Sequence, residues 1–113
     1  MKPWYVYIMT NKPDGVIYIG CTDDIEARVL EHKNKIYKNS FTAKYNCDKL
    51  VYFEEYKSGL EASKREKQMK KWKRKWKINL ILDMNPSWMD ISLNWSENVN
   101  SVFKIKRSLP TQE

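Results

Sequence analysis

Five side chains form a set that suits phosphoryl chemistry: Tyr7, Tyr18, Arg28, His32 and Glu66. Tyr7 closes the run Tyr5-Val6-Tyr7, and Tyr18 opens the run Tyr18-Ile19-Gly20. The stretch Asn11-Lys12-Pro13-Asp14-Gly15 lies between them, and Arg28 and His32 follow four residues apart. Cutting a phosphodiester needs a base for the attacking water, a cation facing the charge that builds on phosphorus, and relief of the leaving oxygen. A phenol has an unperturbed pKa of about 10, so it acts as a base only when a cation or a second phenol depresses that value. Arg28 suits this task while also holding a phosphate oxygen. His32 can shuttle a proton or orient a tyrosine. Glu66 can hold a magnesium ion whose other ligands are water and substrate phosphate. One carboxylate is then enough, which matches a chain without an acidic cluster.

The elements that must position this set follow from periodicity. Residues 4–10 alternate in aromatic and β-branched types and predict a strand, as do residues 16–21. Pro13-Asp14-Gly15 predicts the turn that pairs them as an antiparallel hairpin. Period two places Tyr5 and Tyr7 on one face, opposite Trp4, Val6 and Ile8. Asp23 with Glu26 predicts a capped helix over residues 24–36, with Ile25, Val29, His32 and Ile36 on one stripe and Arg28 at its edge. Residues 37–47 have no clear period and read as a loop; Lys49 to Tyr56 reads as a third strand. Ser58-Gly59-Leu60-Glu61 is a capping-box pattern that launches a helix running from Gly59 into the seventies. Ala62, Met69, Trp76 and Leu80 share its apolar face, with Trp72 on one flank and Glu66 on the other. Asn85-Pro86 marks a break, residues 87–95 read as a further short helix, and residues 96–113 read as a polar, flexible tail beyond a domain spanning 1–95.

The charge is local. The 113-residue chain carries a net charge of +7, yet Lys64 to Lys77 alone holds nine Lys or Arg and one acid, Glu66. Lys64, Lys67, Lys70, Lys71, Lys73 and Arg74 are the expected contacts to nucleic-acid phosphates, which such a patch grips without reading bases. The competing expectation is a binding module that uses this patch on nucleic acid without chemistry. A membrane-surface helix ranks lower, because this helix is needed to cover the sheet. Two cysteines, Cys21 and Cys47, and one histidine argue against a zinc site. No signal peptide and no membrane-spanning run is visible, so the expected location is cytoplasmic.

Taken in order, these residues resemble the GIY-YIG nucleases, and most of all the small stand-alone bacterial members of that superfamily. Tyr5-Val6-Tyr7 stands at the GIY element, and Tyr18-Ile19-Gly20 reproduces the YIG element. Arg28 and His32 occur at the family's helical positions, Lys64-Arg65-Glu66-Lys67-Gln68 resembles the stretch with the metal-binding glutamate, and Asn85-Pro86-Ser87-Trp88 is similar to the ending of the stand-alone members. The resemblance spans Trp4 to Leu93. It implies an α+β fold, a three-stranded antiparallel sheet flanked by helices. It implies a DNA endonuclease that uses Mg2+ or Mn2+, with Glu66 as the one protein ligand and either Tyr7 or Tyr18 as base. By the same resemblance Tyr45 and Asn85 are site-adjacent. Repair or recombination on branched or damaged DNA is the expected setting, and an accessory subunit of a larger repair complex is a third expectation. Two residues depart from the pattern. Tyr5 replaces the first glycine, and Cys21 stands where the superfamily's repair nucleases often carry a lysine. Each residue has an ordinary explanation alone, as a strand aromatic, a core histidine or a salt-bridge partner. Their joint occurrence in family order is what favours the nuclease.

Overall fold

Alternation in the two N-terminal runs builds a sheet with two different buried faces. In the computed structural model, which describes residues 2–96, β1 (Trp4–Thr10) is the central strand. It pairs antiparallel with β2 (Ile17–Thr22) on one side and β3 (Lys49–Tyr56) on the other. The strand order is β2-β1-β3. The three-stranded antiparallel sheet with flanking helices agrees with the α+β expectation. Val6, Ile8, Ile19 and Val51 face one side with Ala62, Met69 and Ile81; Tyr5, Tyr7, Met9 and Phe53 face the other with Ile25 and Val29. The hairpin closes through a residue other than its glycine. Asp14 takes the left-handed conformation (φ 57°), and the Asn11 side chain accepts from the Val16 N–H at 2.8 Å. A short polar side chain tolerates that region without a large penalty.

Helix α1 (Ile25–Lys33) is capped by Asp24 rather than Asp23: its carboxylate accepts from the Ala27 N–H at 3.2 Å. It ends three residues before the expected boundary, with Lys35 in the left-handed region (φ 52°), so Ile36 leaves the stripe and is exposed. Ile25 and Val29 alone anchor α1 to the sheet, each burial contributing about 1.5–3 kcal/mol. The segment expected as loop contains a one-turn helix, α2 (Phe41–Lys44), capped by Ser40.

The single basic helix is in fact two, α3 (Gly59–Lys71) and α4 (Arg74–Met84), with extended backbone at Trp72 and Lys73. A continuous helix would stack Lys70 on Arg74 and Lys71 on Lys75, and like charges at that spacing repel. The break also turns Trp76 away from the Ala62 and Met69 face; Trp76 is 54% exposed. Beyond α4 the chain makes a turn at residues 86–88, and the expected helix shrinks to a 3-10 turn, Ile91–Ser96. The expected tail lies, from residue 97 on, outside the described residues. No helix among them is long and apolar enough to cross a membrane.

Candidate active site

Register sets the two phenols. Tyr7 sits opposite Gly20, and Tyr18 opposite Met9, so Tyr18 is the diagonal neighbour of Tyr7 on the α1 face. Their ring centroids are 6.2 Å apart. Gly20 matters for space: a Cβ there would meet the Tyr7 hydroxyl at 2.4 Å and its Cζ at 2.5 Å. Its φ is negative, so backbone freedom is not the reason. The missing side chain lets the Tyr7 ring lie flat across the edge strand and deliver its hydroxyl to the sheet margin.

Helix α1 brings His32 and Arg28 to the same place. His32 Nε2 is 2.9 Å from the Tyr7 hydroxyl, and its Nδ1 is 2.8 Å from Thr42 Oγ1. Thr42 Oγ1 in turn lies 3.2 Å from Ser40 Oγ. The His32 ring also meets Tyr18 edge-on, at 5.4 Å between centroids. Burial, reinforced by the positive charge of Arg28, pulls the His32 pKa down to about 4, so the imidazole is neutral at physiological pH. Burial and the neighbouring Tyr18 raise the Tyr7 pKa against the pull of Arg28, and Tyr7 keeps its proton. Burial works against the Arg28 charge, but contacts to Tyr7, then Glu31 and Tyr18, outweigh it and raise its pKa. Arg28 is held by Glu31 at 3.1 Å.

Glu66 arrives from the other face. Helix α3 crosses β1 and β2 on the opposite side of the sheet from α1. The Cys21 thiol on β2 marks the meeting point. Its pKa is raised by burial and by Glu66, while Arg28 and Lys70 oppose that rise. Helices α3 and α1 thus carry the carboxylate and the guanidinium on the two sides of the sheet. Glu66 pairs with Lys70 at 2.7 Å and keeps 20% of its side chain exposed. Its donor chemistry fits a hard divalent cation: a lone carboxylate at an open strand edge leaves room for water and phosphate oxygens, the ligands such an ion keeps. Among the described residues no three His, Cys, Asp or Glu converge into a protein cage.

The remaining expected residues divide. Tyr45 is half exposed and stacks on Phe41 at 4.8 Å, and Phe41 packs on Tyr18 at 5.9 Å, so Tyr45 joins the phenols through one ring. Asn85 does not join them. Its side chain donates to the Val51 carbonyl at 3.1 Å and the Met89 carbonyl at 2.8 Å and accepts from the Met89 N–H at 3.0 Å. It ties the end of α4 to β3, the edge strand opposite the phenols, because a helix end needs partners for its free backbone groups. Lys64, Lys67, Lys70, Lys71, Lys73 and Arg74 are all exposed. Two of them carry internal bonds: Lys70 to Glu66, and Arg74 to the turn carbonyls of Asp14 and Gly15 at 2.9 and 2.6 Å.

Three contributors escape sequence periodicity. Thr42 and Ser40 sit in the stretch read as loop, and only the Ser40 helix-cap pattern hints at them. Arg65 belongs to the basic run but turns inward. It grips Glu54 through two bonds of 2.9 and 2.8 Å, and Tyr56 and Tyr52 also donate to that carboxylate. Burial alone would raise the Glu54 carboxyl; Arg65 and the two phenols hold it below the usual range. This buried pair locks α3 to β3 one residue before Glu66.

Comparison with known proteins identifies the family. Residues 3–79 match the GIY-YIG catalytic domain. A UPF0213 protein of Staphylococcus saprophyticus is 37% identical over 81 residues, covering 72% of this chain and 96% of its own. A UPF0213 protein of Syntrophus aciditrophicus is 39% identical over 89 residues, covering 79% and 100%. One from Clostridium perfringens is 40% identical over 77 residues, covering 68% and 81%. No solved structure gave a significant match. GIY-YIG nucleases generally depend on a divalent metal. With a catalytic-domain match over residues 3–79 and relatives 37–40% identical along most of its length, the chain belongs to the GIY-YIG nuclease family.

Proposed function

We propose that this protein is a metal-dependent DNA endonuclease in which Tyr18 receives the proton of the attacking water and Tyr7 holds Tyr18 ready for it. The observation that carries the assignment is a contrast in access. Tyr7 is 0% exposed and its hydroxyl is bonded to His32, whereas Tyr18 is only half-buried. A base must reach the water it deprotonates. Tyr7 keeps its proton and its ring lies beside that of Tyr18, 6.2 Å between centroids, so it can donate to a Tyr18 phenolate while His32 Nε2–H donates to Tyr7. Thr42 and Ser40 fix the far side of the imidazole. Arg28, beside both phenols, favours negative charge there and suits a phosphate oxygen. In the chemical step the water oxygen forms a bond to phosphorus, its proton passes to the Tyr18 oxygen, and the bond to the leaving sugar oxygen breaks. A Mg2+ or Mn2+ ion held by Glu66 would supply charge stabilisation at the phosphate and the leaving oxygen.

The exposed lysines of α3 and α4 support DNA as the substrate, and a patch that grips phosphates rather than base edges suits recognition of DNA shape, as in branched or damaged DNA. Supercoiled plasmid and a branched junction, incubated with Mg2+ or Mn2+, should be nicked by the wild type. Tyr18→Phe and Glu66→Gln should cut at least 100-fold more slowly, the scale of losing general-base or charge stabilisation. Tyr7→Phe should retain residual cutting with the rising limb of its pH–rate profile displaced to higher pH. Full activity in Tyr18→Phe would overturn the assignment of the base. The Lys70–Glu66 pair favours one second reading, a non-catalytic nucleic-acid module in which the carboxylate is an ordinary helix partner. In that case Glu66→Ala tightens DNA binding and no metal supports cutting.

A further inference from the structure

Trp76 is the largest side chain left open on the molecule's most basic surface. It is 54% exposed, on the first turn of α4, three residues after Lys73 and directly between Lys75 and Lys77. Its only ring contact among the described residues is an edge-on approach to Trp72 at 6.1 Å. Trp72 is itself fixed from beneath, with the Arg65 guanidinium 5.0 Å from its ring. The two indoles, with Asn79, Leu80 and Asp83, border an open cleft of about 270 Å3. That is at the small end of ligand pockets, which run from ~300 to 1,000 Å3.

We infer that this cleft is a stacking platform for an unpaired nucleobase, and that the preferred substrate therefore carries single-stranded nucleotides beside the cut. The inference deepens the substrate side of the proposed function but rests on binding alone. An aromatic face flanked by cations is the arrangement that holds single strands: lysines follow the phosphates while the ring stacks on a base, whatever its identity. Paired bases are closed off inside their own stack, so a duplex gains from the lysines and little from Trp76. Charge selects the partner further. The Lys64–Lys77 stretch carries nine cations against Glu66, which favours a polyanion over a second copy of the same basic surface. The platform is also joined to the active site. Lys70 pairs with Glu66, and the Lys77 ammonium donates to the Lys70 carbonyl at 3.4 Å, one residue from Trp76. A strand laid along these lysines would run from the stacking cleft to the Glu66 carboxylate. Asn79 offers an amide to a base edge, and Asp83 disfavours a phosphate inside the cleft itself.

The test is binding of a short labelled oligothymidylate and of a duplex of equal length, by fluorescence anisotropy, with the full chain and no added metal. Trp76→Ala should weaken oligothymidylate binding about 5- to 150-fold, the range of one lost base–aromatic stack. Duplex binding should stay within about twofold, since phosphate contacts dominate there. Trp76→Phe should restore most of the single-strand affinity. Circular dichroism and sedimentation of each variant check fold and mass. Equal losses on both ligands, no loss on either, or a fall in mass showing that Trp76 is covered by a second copy would each overturn the inference. Cutting is read separately. If the single-strand preference holds and no DNA is cut with Mg2+ or Mn2+, the nuclease reading fails alone; if DNA is cut and the preference does not depend on Trp76, this inference fails alone.

Discussion

Gly20→Ala tests the site at its tightest point. The added methyl would stand 2.4 Å from the Tyr7 hydroxyl and 2.5 Å from its Cζ, against an ordinary contact of 3.4 Å or more. The phenol must therefore retreat by about 1 Å, through a core in which Tyr7 has no exposed surface. Overpacking of this kind costs ~1–3 kcal/mol. The retreat also stretches the 2.9 Å bond to His32, and leaving a buried polar partner unsatisfied costs a further ~1–3 kcal/mol. Reduced freedom of the unfolded chain returns only ~0.4–1 kcal/mol, because the residue's φ is not in the left-handed region. The expected net loss is about 2–4 kcal/mol, read from chemical denaturation. Cutting by the folded fraction should fall about 100-fold, the scale for a 1 Å misplacement of a reacting group. In a Tyr7→Leu background, where the clashing ring atoms are gone, the stability cost of Gly20→Ala should shrink markedly, a coupling that a double-mutant cycle measures. If Gly20→Ala matches the wild type in stability and cutting, or if its cost is unchanged beside Tyr7→Leu, the view that the glycine exists to seat Tyr7 is wrong.

Stability should also follow the protonation of His32. Its folded pKa, about 4, lies below the unfolded value of 6.5, so on acidification the unfolded chain takes up the proton first. The contribution is fully present above about pH 6.5 and is lost as pH falls toward 4; denaturation curves of His32→Gln should lack this slope, and an unchanged slope would refute the assignment. Arg65→Met should lower stability by about 1.5–3 kcal/mol, because it leaves the buried Glu54 carboxylate with only the two phenols as donors; the companion Glu54→Leu, Arg65→Met double variant should recover much of that loss, and no recovery would mean the pair is not what holds α3. Asn85→Ala should cost about 1–3 kcal/mol by exposing the Val51 and Met89 backbone groups to a partnerless interior, while leaving the rate of cutting by the folded protein unchanged, as a nicking assay under stabilising conditions would show.

The sheet and the placement of its tyrosines were legible in the sequence because strand alternation is a short-range rule. Tyr5 and Tyr7 fall together, opposite Val6 and Ile8, as period two requires. What escaped was set by interactions between elements. The α3–α4 break depends on repulsion along the lysine run and on the place Trp72 finds under Arg65. Arg65 looked like one more cation of that run, since nothing local announces a buried acid eleven residues earlier in the chain. Thr42 was hidden for a similar reason: a one-turn helix has too few residues to show a period. Asn85 marks a helix stop in the sequence and ends α4 in the structure, and what the sequence does not show is that its side chain clamps the backbone of β3.

The position of the site at β2 follows from how a sheet divides space. Residues on opposite faces of a central strand cannot meet, because both neighbours block the way. At an edge strand the two faces are continuous around the margin. Tyr7 belongs to the α1 face and Glu66 to the helix on the other face, so the margin of β2 is where they can act on one phosphate. Gly20 removes the side chain that would fill that margin. The same openness exposes unpaired backbone groups, a hazard for edge strands that neighbouring charges suppress. Lys70 and Arg74 supply those charges along the rim. One set of lysines can thus guard the edge against another strand and still attract a polyanion to it. On this view, exchanging Lys70 for a neutral residue should weaken DNA binding and promote self-association together.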